Sequence, residues 1–373
     1  MELRAWQNPW RVMLAVNVAV LVGVFWHKVL LPPFVPYIHL LVDYHFGFTK
    51  RALIGTIVSV FTDKVPVWLV FALAGAVWLI TLGLFAKLFQ RTFGFDEKNL
   101  PLFLFMAASP FFFKNFMHTL GHFDIYGCLF AIILLLMPAR SVAYVRMAAL
   151  LAIILILIHH IHLLMYVPTI AAIVVLRYYL VADVNRHNAS VGVLALLTLG
   201  VLFIAAQFLG TMEIPEAQFV AYLKSRMADP SRTDLLSFAY IWYQPLSKEI
   251  ADTWARMPSN VLGVPVFALL IWLHMPLWRY YAETIRALRY ETHRRLVLAA
   301  LIAVSLGYLV MFAIVFDYSR WVSNWAVCMF LILHAVKRLP SSREVAPIPD
   351  DRKSTIFGAI VTLIPRVGIV RPF

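Results

Sequence analysis

The chain has 373 residues, of which 62% are hydrophobic and 14% are charged, and its mean hydropathy is +0.82. A soluble chain of this length would carry about 25% charged residues, so the composition excludes a soluble globular protein. The formal net charge is +13. The basic residues follow a membrane topology, described below, and do not indicate a nucleic-acid partner.

Apolar runs recur from one end of the sequence to the other, and most are long enough to cross a bilayer. They predict an all-α polytopic membrane protein with about ten transmembrane helices in a single membrane domain, 1–373. The predicted spans are 12–31, 65–89, 100–113, 125–137, 145–158, 163–180, 190–209, 261–278, 296–316 and 325–336. We expect no cleavable signal peptide, because no small-residue cleavage site follows the first run. Cys128 and Cys328 lie in apolar runs, so we also expect no structural disulfide.

Three segments between or after the spans are polar enough to lie outside the membrane. The first loop, 32–64, includes apolar residues at helical spacing over 53–61, which predicts an amphipathic helix parallel to the membrane. The long loop, 210–260, contains a second amphipathic pattern that begins after Pro245. The tail, 337–373, ends in an apolar stretch that we consider too short to span.

The distribution of basic residues predicts the orientation. About two thirds of the 32 lysines and arginines fall on the side that carries both termini. The positive-inside rule therefore places both termini in the cytoplasm of a cell with an inner membrane. The first loop, the turn at 114–124, the histidines that follow the fifth span, the long loop and the turn at 317–324 then lie together on the outer side.

The sequence VDYHFGFTKR, 42–51, concentrates polar groups just after the first span. Asp43 is the candidate catalytic residue, because a carboxylate outside the membrane can act as a general base toward a hydroxyl group. An ion pair with Lys50 or Arg51, or a solvated loop position, is the structural alternative. His45 is a candidate substrate-binding residue.

Other candidate substrate-binding residues are His122 and Asp124 in the turn before the fourth span, and His159, His160 and His162 in the motif HHIH. Asp124 begins a predicted helix, where a carboxylate is also favoured by the helix dipole. The histidines alternatively suggest a metal site with His122 or Asp124. No metalloenzyme signature accompanies them, so we expect hydrogen bonds to substrate and no metal or cofactor.

Arginine is suited to phosphate because its planar group donates two parallel hydrogen bonds. Arg51, Arg256 and Arg320 are the candidate phosphate-binding residues, and a local Asp317–Arg320 pair is the alternative for the last of them. Because these groups share one predicted side, we expect Asp43 to lie within a few ångströms of His122, Asp124, His159 or Arg320.

The first loop with its carboxylate, together with the run SPFFFKNFMHTLGHFDIYG at 109–127, resembles the GT-C membrane glycosyltransferases. Asp43 stands alone in that loop, where the family typically has an acidic pair. The long basic loop and the sequence DYSRW at 317–321 resemble polysaccharide polymerases of the O-antigen and exopolysaccharide type.

Both resemblances imply a polyprenyl-phosphate-linked sugar donor, a glycan or lipid acceptor, and surrounding membrane lipids as partners. The alternatives are a transporter or flippase for a lipid-linked or anionic substrate, and a membrane acyltransferase. A transporter is disfavoured because charged residues are scarce in the middle of the spans, where transport sites lie. No acyltransferase motif is evident.

Overall fold

The computed structural model describes residues 8–31, 33–181, 186–229, 236–315 and 317–367. Helix makes up 76% of the structure, and these ranges contain no β-strand. This agrees with the all-α expectation.

The helices follow one another with short connections. In the first half they are α1 (Pro9–Leu30), α2 (Phe34–Leu41), α3 (Leu53–Ser59), α4 (Val67–Thr92), α5 (Leu100–Ala107), α6 (Phe113–His118), α7 (Asp124–Leu136), α8 (Val142–Ile158), α9 (His162–Met165) and α10 (Val167–Val174), which continues as a π-helical segment, Val175–Tyr179. In the second half they are α11 (Arg186–Phe208), α12 (Glu216–Arg226), α13 (Leu236–Ala239), α14 (Leu246–Val261), α15 (Val264–Leu273), α16 (Met275–Arg286), α17 (Glu291–Ile314), α18 (Tyr318–Lys337) and α19 (Arg352–Leu363).

Within the described ranges, five helical segments are long and apolar enough to cross a membrane. They are Pro9–Leu30, Val67–Thr92, His162–Tyr179, Ala189–Phe208 and Glu291–Ile314. Three shorter apolar helices, α7, α8 and α15, accompany them. The structure therefore supports a membrane protein, while the number of ten spans stays a prediction.

Three of the predicted spans are interrupted. The span predicted at 163–180 has a turn at Tyr166, two residues before Pro168. The span predicted at 100–113 ends as a helix at Ala107, and Pro110 lies in the turn that follows. The span predicted at 261–278 breaks at His274, two residues before Pro276. Proline supplies no backbone N–H and disfavours helical geometry in the residue before it, so the apolar run continues while the helix does not.

The central helix is α18, whose side chains are buried along nearly its whole length. It packs against α4, α7, α10, α16 and α17. By contrast, α1, α4, α11 and α17 expose large apolar side chains, as expected for helix faces in contact with lipid.

The apolar part of the predicted cytoplasmic tail is packed against the helix bundle. Helix α19 lies along α1 and also contacts α5 and α15. At its start, Trp10 Nε1 donates to Asp350 Oδ1 at 2.9 Å. Gly358 lies so close to Trp10 that an added Cβ would fall 2.7 Å from the indole ring. The sequence analysis missed this packing, because it judged the segment weakly apolar, interrupted by Pro365 and Arg366, and too short to span.

A buried lysine closes the C-terminal end of α19. Lys114 is fully buried, and its Nζ donates to the carbonyl oxygens of Val361, Thr362 and Ile364 at 2.9, 2.6 and 3.0 Å. The last carbonyls of a helix have no partner within the helix, so this side chain satisfies groups that would otherwise be buried without hydrogen bonds.

We expect Lys114→Met to destabilise the protein by about 3 kcal/mol or more, because it leaves buried carbonyls without donors. The measurement is the melting temperature of the purified protein in detergent. Lys98→Met is the control, since Lys98 is 55% exposed and its ion pairs, with Asp96 and Glu344, lie at the surface. Equal melting temperatures for the two variants would contradict the assigned role of Lys114.

Candidate functional site

A polar cavity of about 110 Å³ lies where the turns predicted on the outer side come together. About 10–15 Å³ measured this way holds one water molecule, so the cavity has room for a polar group of several non-hydrogen atoms. Its titratable and aromatic lining consists of His39, Arg51, His122, Phe123, His159, Trp242, Glu249, Asp252, Asp317, Arg320 and Trp321. We call this space the polar cavity.

One wall of the polar cavity is held by an ion pair between α7 and α18. Arg320 donates from Nε and Nη2 to the two carboxylate oxygens of Asp124, at 2.7 and 3.0 Å. Its Nη1 contacts Asp317 at 3.1 Å. Asn324 Nδ2 also donates to Asp124, at 3.1 Å. The two-pronged geometry predicted for phosphate at Arg320 is therefore used for Asp124, and the local pair with Asp317 is present as well.

Arg51 lines the same cavity, but its hydrogen bonding differs from that of Arg320. Its Nε is buried without a hydrogen-bond partner among the described residues, and its guanidinium lies 5.6 Å from the centre of the Trp242 ring. Its φ of +63° lies in the left-handed region, which is costly for a residue with a side chain. Burial lowers the pKa of Arg51. Arg51 thus combines a strained backbone with a buried donor that no described residue accepts from.

The neighbouring lysine fixes the loop that carries Arg51. Lys50 is 2% exposed. Its Nζ donates to the carbonyl of Gln244 at 2.9 Å and to Glu249 Oε1 at 3.2 Å. Its backbone N–H donates to the carbonyl of Gly210 at 3.1 Å. The first loop is therefore attached to both ends of the 210–249 region, and Arg51 is held in place.

The cavity histidines are neutral. Burial lowers the pKa values of His39, His122 and His159 well below 6.5; the positive charge of Arg320 adds to the effect at all three, and that of Arg51 at His39 and His159. His39 stacks on Phe123, with ring centres 4.1 Å apart. Neutral imidazoles both donate and accept hydrogen bonds, so these rings suit hydroxyl groups better than phosphate charges.

Asp43 belongs to a separate cluster and does not line the polar cavity. Its Oδ2 accepts from Arg226 at 2.7 Å, Tyr222 donates to both of its oxygens at 2.8 Å, and Oδ1 accepts from the N–H of His45 at 3.0 Å. No described contact joins it to His122, Asp124, His159 or Arg320. Because its oxygens are engaged and it is 8% exposed, Asp43 is better explained as a structural anchor than as a base.

The approach of the first loop to α3 depends on a glycine. A Cβ on Gly55 would lie 1.8 Å from the carbonyl oxygen of Val42, so only glycine permits this contact. The helix predicted over 53–61 forms at Leu53–Ser59 and packs against α2. Its position at the membrane surface stays a prediction.

The remaining predicted residues also lie outside the cavity lining. His45 is exposed and stacks on Tyr222 at 4.5 Å. His160 packs near Phe203, and His162 is fully buried beneath the cavity. Arg256 pairs with Asp252 at 3.0 Å. Arg51, His122, His159 and Arg320 are therefore the predicted site residues that line the cavity, and Asp124 supports it from behind Arg320.

Sequence reasoning missed His39, Glu249 and Asp252 as site residues. The signal for the two acids was the amphipathic pattern after Pro245, because a helix there presents Glu249, Asp252 and Thr253 on adjacent turns. Among the described residues, no group of three or more histidine, cysteine, aspartate or glutamate side chains is arranged to hold a metal ion.

Comparison of the chain with protein-family models, with curated proteins and with solved structures finds no significant match. The functional argument therefore depends on the chemistry of the polar cavity.

We expect Asp124→Asn to cost more stability than Asp317→Asn. Asp124 is 1% exposed and pairs with Arg320 through both oxygens, whereas Asp317 is 22% exposed. Removing one partner of a buried pair costs about 3–5 kcal/mol, because the other charge stays buried. Thermal unfolding of both variants without any ligand measures the difference. Equal losses would show that the Asp124 pair is not the principal support of the cavity.

Proposed function

We propose that the chain is a glycosyltransferase or polysaccharide polymerase of the inner membrane, which uses a polyprenyl-phosphate-linked sugar on the extracytoplasmic face. The observation that carries this proposal is Arg51. It is a guanidinium whose buried Nε has no acceptor among the described residues, held in a strained conformation in a cavity. Strained residues that the surroundings hold in place cluster at ligand sites, and a phosphate oxygen would satisfy the donor.

The rest of the cavity suits a sugar next to that phosphate. His39, His122 and His159 offer uncharged donors and acceptors, and Trp242 and Trp321 offer flat apolar surfaces for the faces of a sugar ring. Glu249 and Asp252 supply carboxylates, which can accept protons from hydroxyl groups. This combination of one available cation, neutral imidazoles, carboxylates and indoles matches a glycosyl phosphate better than a simple anion.

The setting suits a lipid-linked donor. The cavity lies at the ends of α7, α8, α17 and α18, in a bundle with helices long and apolar enough to span a bilayer. The hydrocarbon chain of the donor would lie among lipids while its phosphate reached Arg51. The start of α1 and the end of α18 would lie on the cytoplasmic side, as the positive-inside rule indicates.

The interior beneath the cavity favours an enzyme over a transporter. Asp124, Tyr166 and Asn324 are fully buried, and the Tyr166 hydroxyl donates to Asn324 Oδ1 at 2.7 Å. Below them, Cys128 and Cys328 are also fully buried. A transport path would require space near the middle of the membrane, and packed side chains occupy this position.

The first test measures whether the phosphate is recognised. The wild-type protein in lipid nanodiscs should bind polyprenyl monophosphate at least tenfold more tightly than the uncharged polyprenol. Arg51→Gln should weaken phosphate binding by about 10- to 100-fold, because a hydrogen bond to a charged group contributes about 1.5–3 kcal/mol. Arg11→Gln is the matched control, since Arg11 is 44% exposed, pairs with Glu97 and does not line the cavity, and it should bind like the wild type.

A second variant separates a binding role for Arg51 from a structural one. Arg51→Gly relieves the left-handed strain, so its melting temperature should equal or exceed that of the wild type while phosphate binding is lost. If polyprenol binds as tightly as polyprenyl monophosphate, or if Arg51→Gln binds normally, the proposed donor site is wrong. A marked fall in the melting temperature of Arg51→Gly would make Arg51 a structural residue.

A further inference from the structure

Three carboxylates line the polar cavity, and two of them are engaged through both oxygens. Asp252 contacts Arg256 Nε with its two oxygens at 3.1 and 3.0 Å. Asp317 accepts from Arg320 at 3.1 Å and from the Ser319 hydroxyl at 3.4 Å. Neither has an oxygen free of protein donors.

Glu249 differs from both. Its Oε1 accepts from Lys50 at 3.2 Å, which fixes the side chain. Its Oε2 has no hydrogen bond or ion pair with any residue that the structure describes. The side chain is 13% exposed and lines the cavity. One oxygen therefore positions the carboxylate, while the other is available to a ligand.

Glu249 is also linked to the proposed phosphate site. Lys50, which holds Glu249, is the residue before Arg51, and the negative charge of Glu249 acts on Arg51. Lys50 thus holds the Glu249 carboxylate of α14 in the cavity, and the next residue, Arg51, places its guanidinium in the same cavity. A phosphate at Arg51 and a hydroxyl group at Glu249 Oε2 would share this space. Transfer of a sugar from the phosphate to the hydroxyl group requires that the two lie close together.

We propose that Glu249, and not Asp43, is the catalytic base of this site, accepting the proton of the acceptor hydroxyl group at Oε2. This inference rests on the proposed glycosyltransferase function. The acceptor oxygen forms a bond to the anomeric carbon of the donor sugar as the bond from that carbon to the phosphate oxygen breaks. The bonding electrons leave with the polyprenyl phosphate, which Arg51 holds, and the hydroxyl proton passes to Glu249.

The experiment measures the release of polyprenyl phosphate by the purified protein in nanodiscs. The donors are polyprenyl-phosphate-linked hexose, N-acetylhexosamine and pentose, each supplied with a glycan acceptor extracted from the native membrane. Glu249→Gln keeps Oε1 as the acceptor for Lys50, so the fold should be retained. Turnover should fall by about 100-fold or more, while binding of polyprenyl monophosphate should stay within threefold of the wild type.

Four variants make the result specific. Glu249→Asp keeps the acid one methylene shorter and should recover part of the lost rate. Glu216→Gln, at an exposed position of α12, should have wild-type turnover. Asp43→Asn and Asp252→Asn test the rival bases, and each should retain more activity than Glu249→Gln.

The outcomes separate the two proposals. Wild-type turnover by Glu249→Gln, or a larger loss in Asp43→Asn or Asp252→Asn, overturns the role of Glu249 and leaves the glycosyltransferase proposal in place. Loss of polyprenyl monophosphate binding together with turnover in Glu249→Gln makes Glu249 a positioning residue for Arg51 and also overturns its role as base. If the wild type turns over none of the donors, both proposals are wrong.

Discussion

A carboxylate in an apolar interior must be paired, since an isolated buried charge costs far more than a protein's margin of stability. Asp124 meets this requirement through Arg320 and Asn324. The pair fixes the start of α7 at the level of the first turn of α18, the helix around which much of the bundle packs. The depth of the polar cavity follows from this one constraint, because α7 and α18 supply its wall.

The second constraint is the pairing of the buried cationic side chains with carboxylates. Arg320 and Arg226 each have a carboxylate partner, and Lys50 has Glu249 together with a backbone carbonyl. Arg51 alone among these four makes no ion pair with a described residue. The backbone of Arg51 lies in the left-handed region, which costs stability, and its guanidinium lines the cavity. A strained residue of this kind, which lowers stability at a single position, is typical of a binding site.

The general architecture could be predicted from the sequence, because hydrophobic runs and their flanking charges encode it directly. The same reasoning brought Arg51, His122, His159 and Arg320 to one side, and they do line one cavity. It could not distinguish a carboxylate engaged by Arg226 from one available to a ligand, since Asp43 and Arg226 are 183 residues apart. Pairing of this kind depends on tertiary packing, which residue type and spacing do not record.

The contact between α1 and α19 has a consequence for how the protein is made. Trp10 and Asp350 are separated by 340 positions in the sequence, so α1 meets α19 only after the ribosome has added all the residues between them. At a typical rate of about 5–20 residues per second, this takes on the order of tens of seconds. During that time α1 has no contact with α19, and Lys114 has no contact with the carbonyl oxygens at the end of α19. A chain without α19 therefore leaves Lys114 without the three carbonyl oxygens that it contacts in the folded protein.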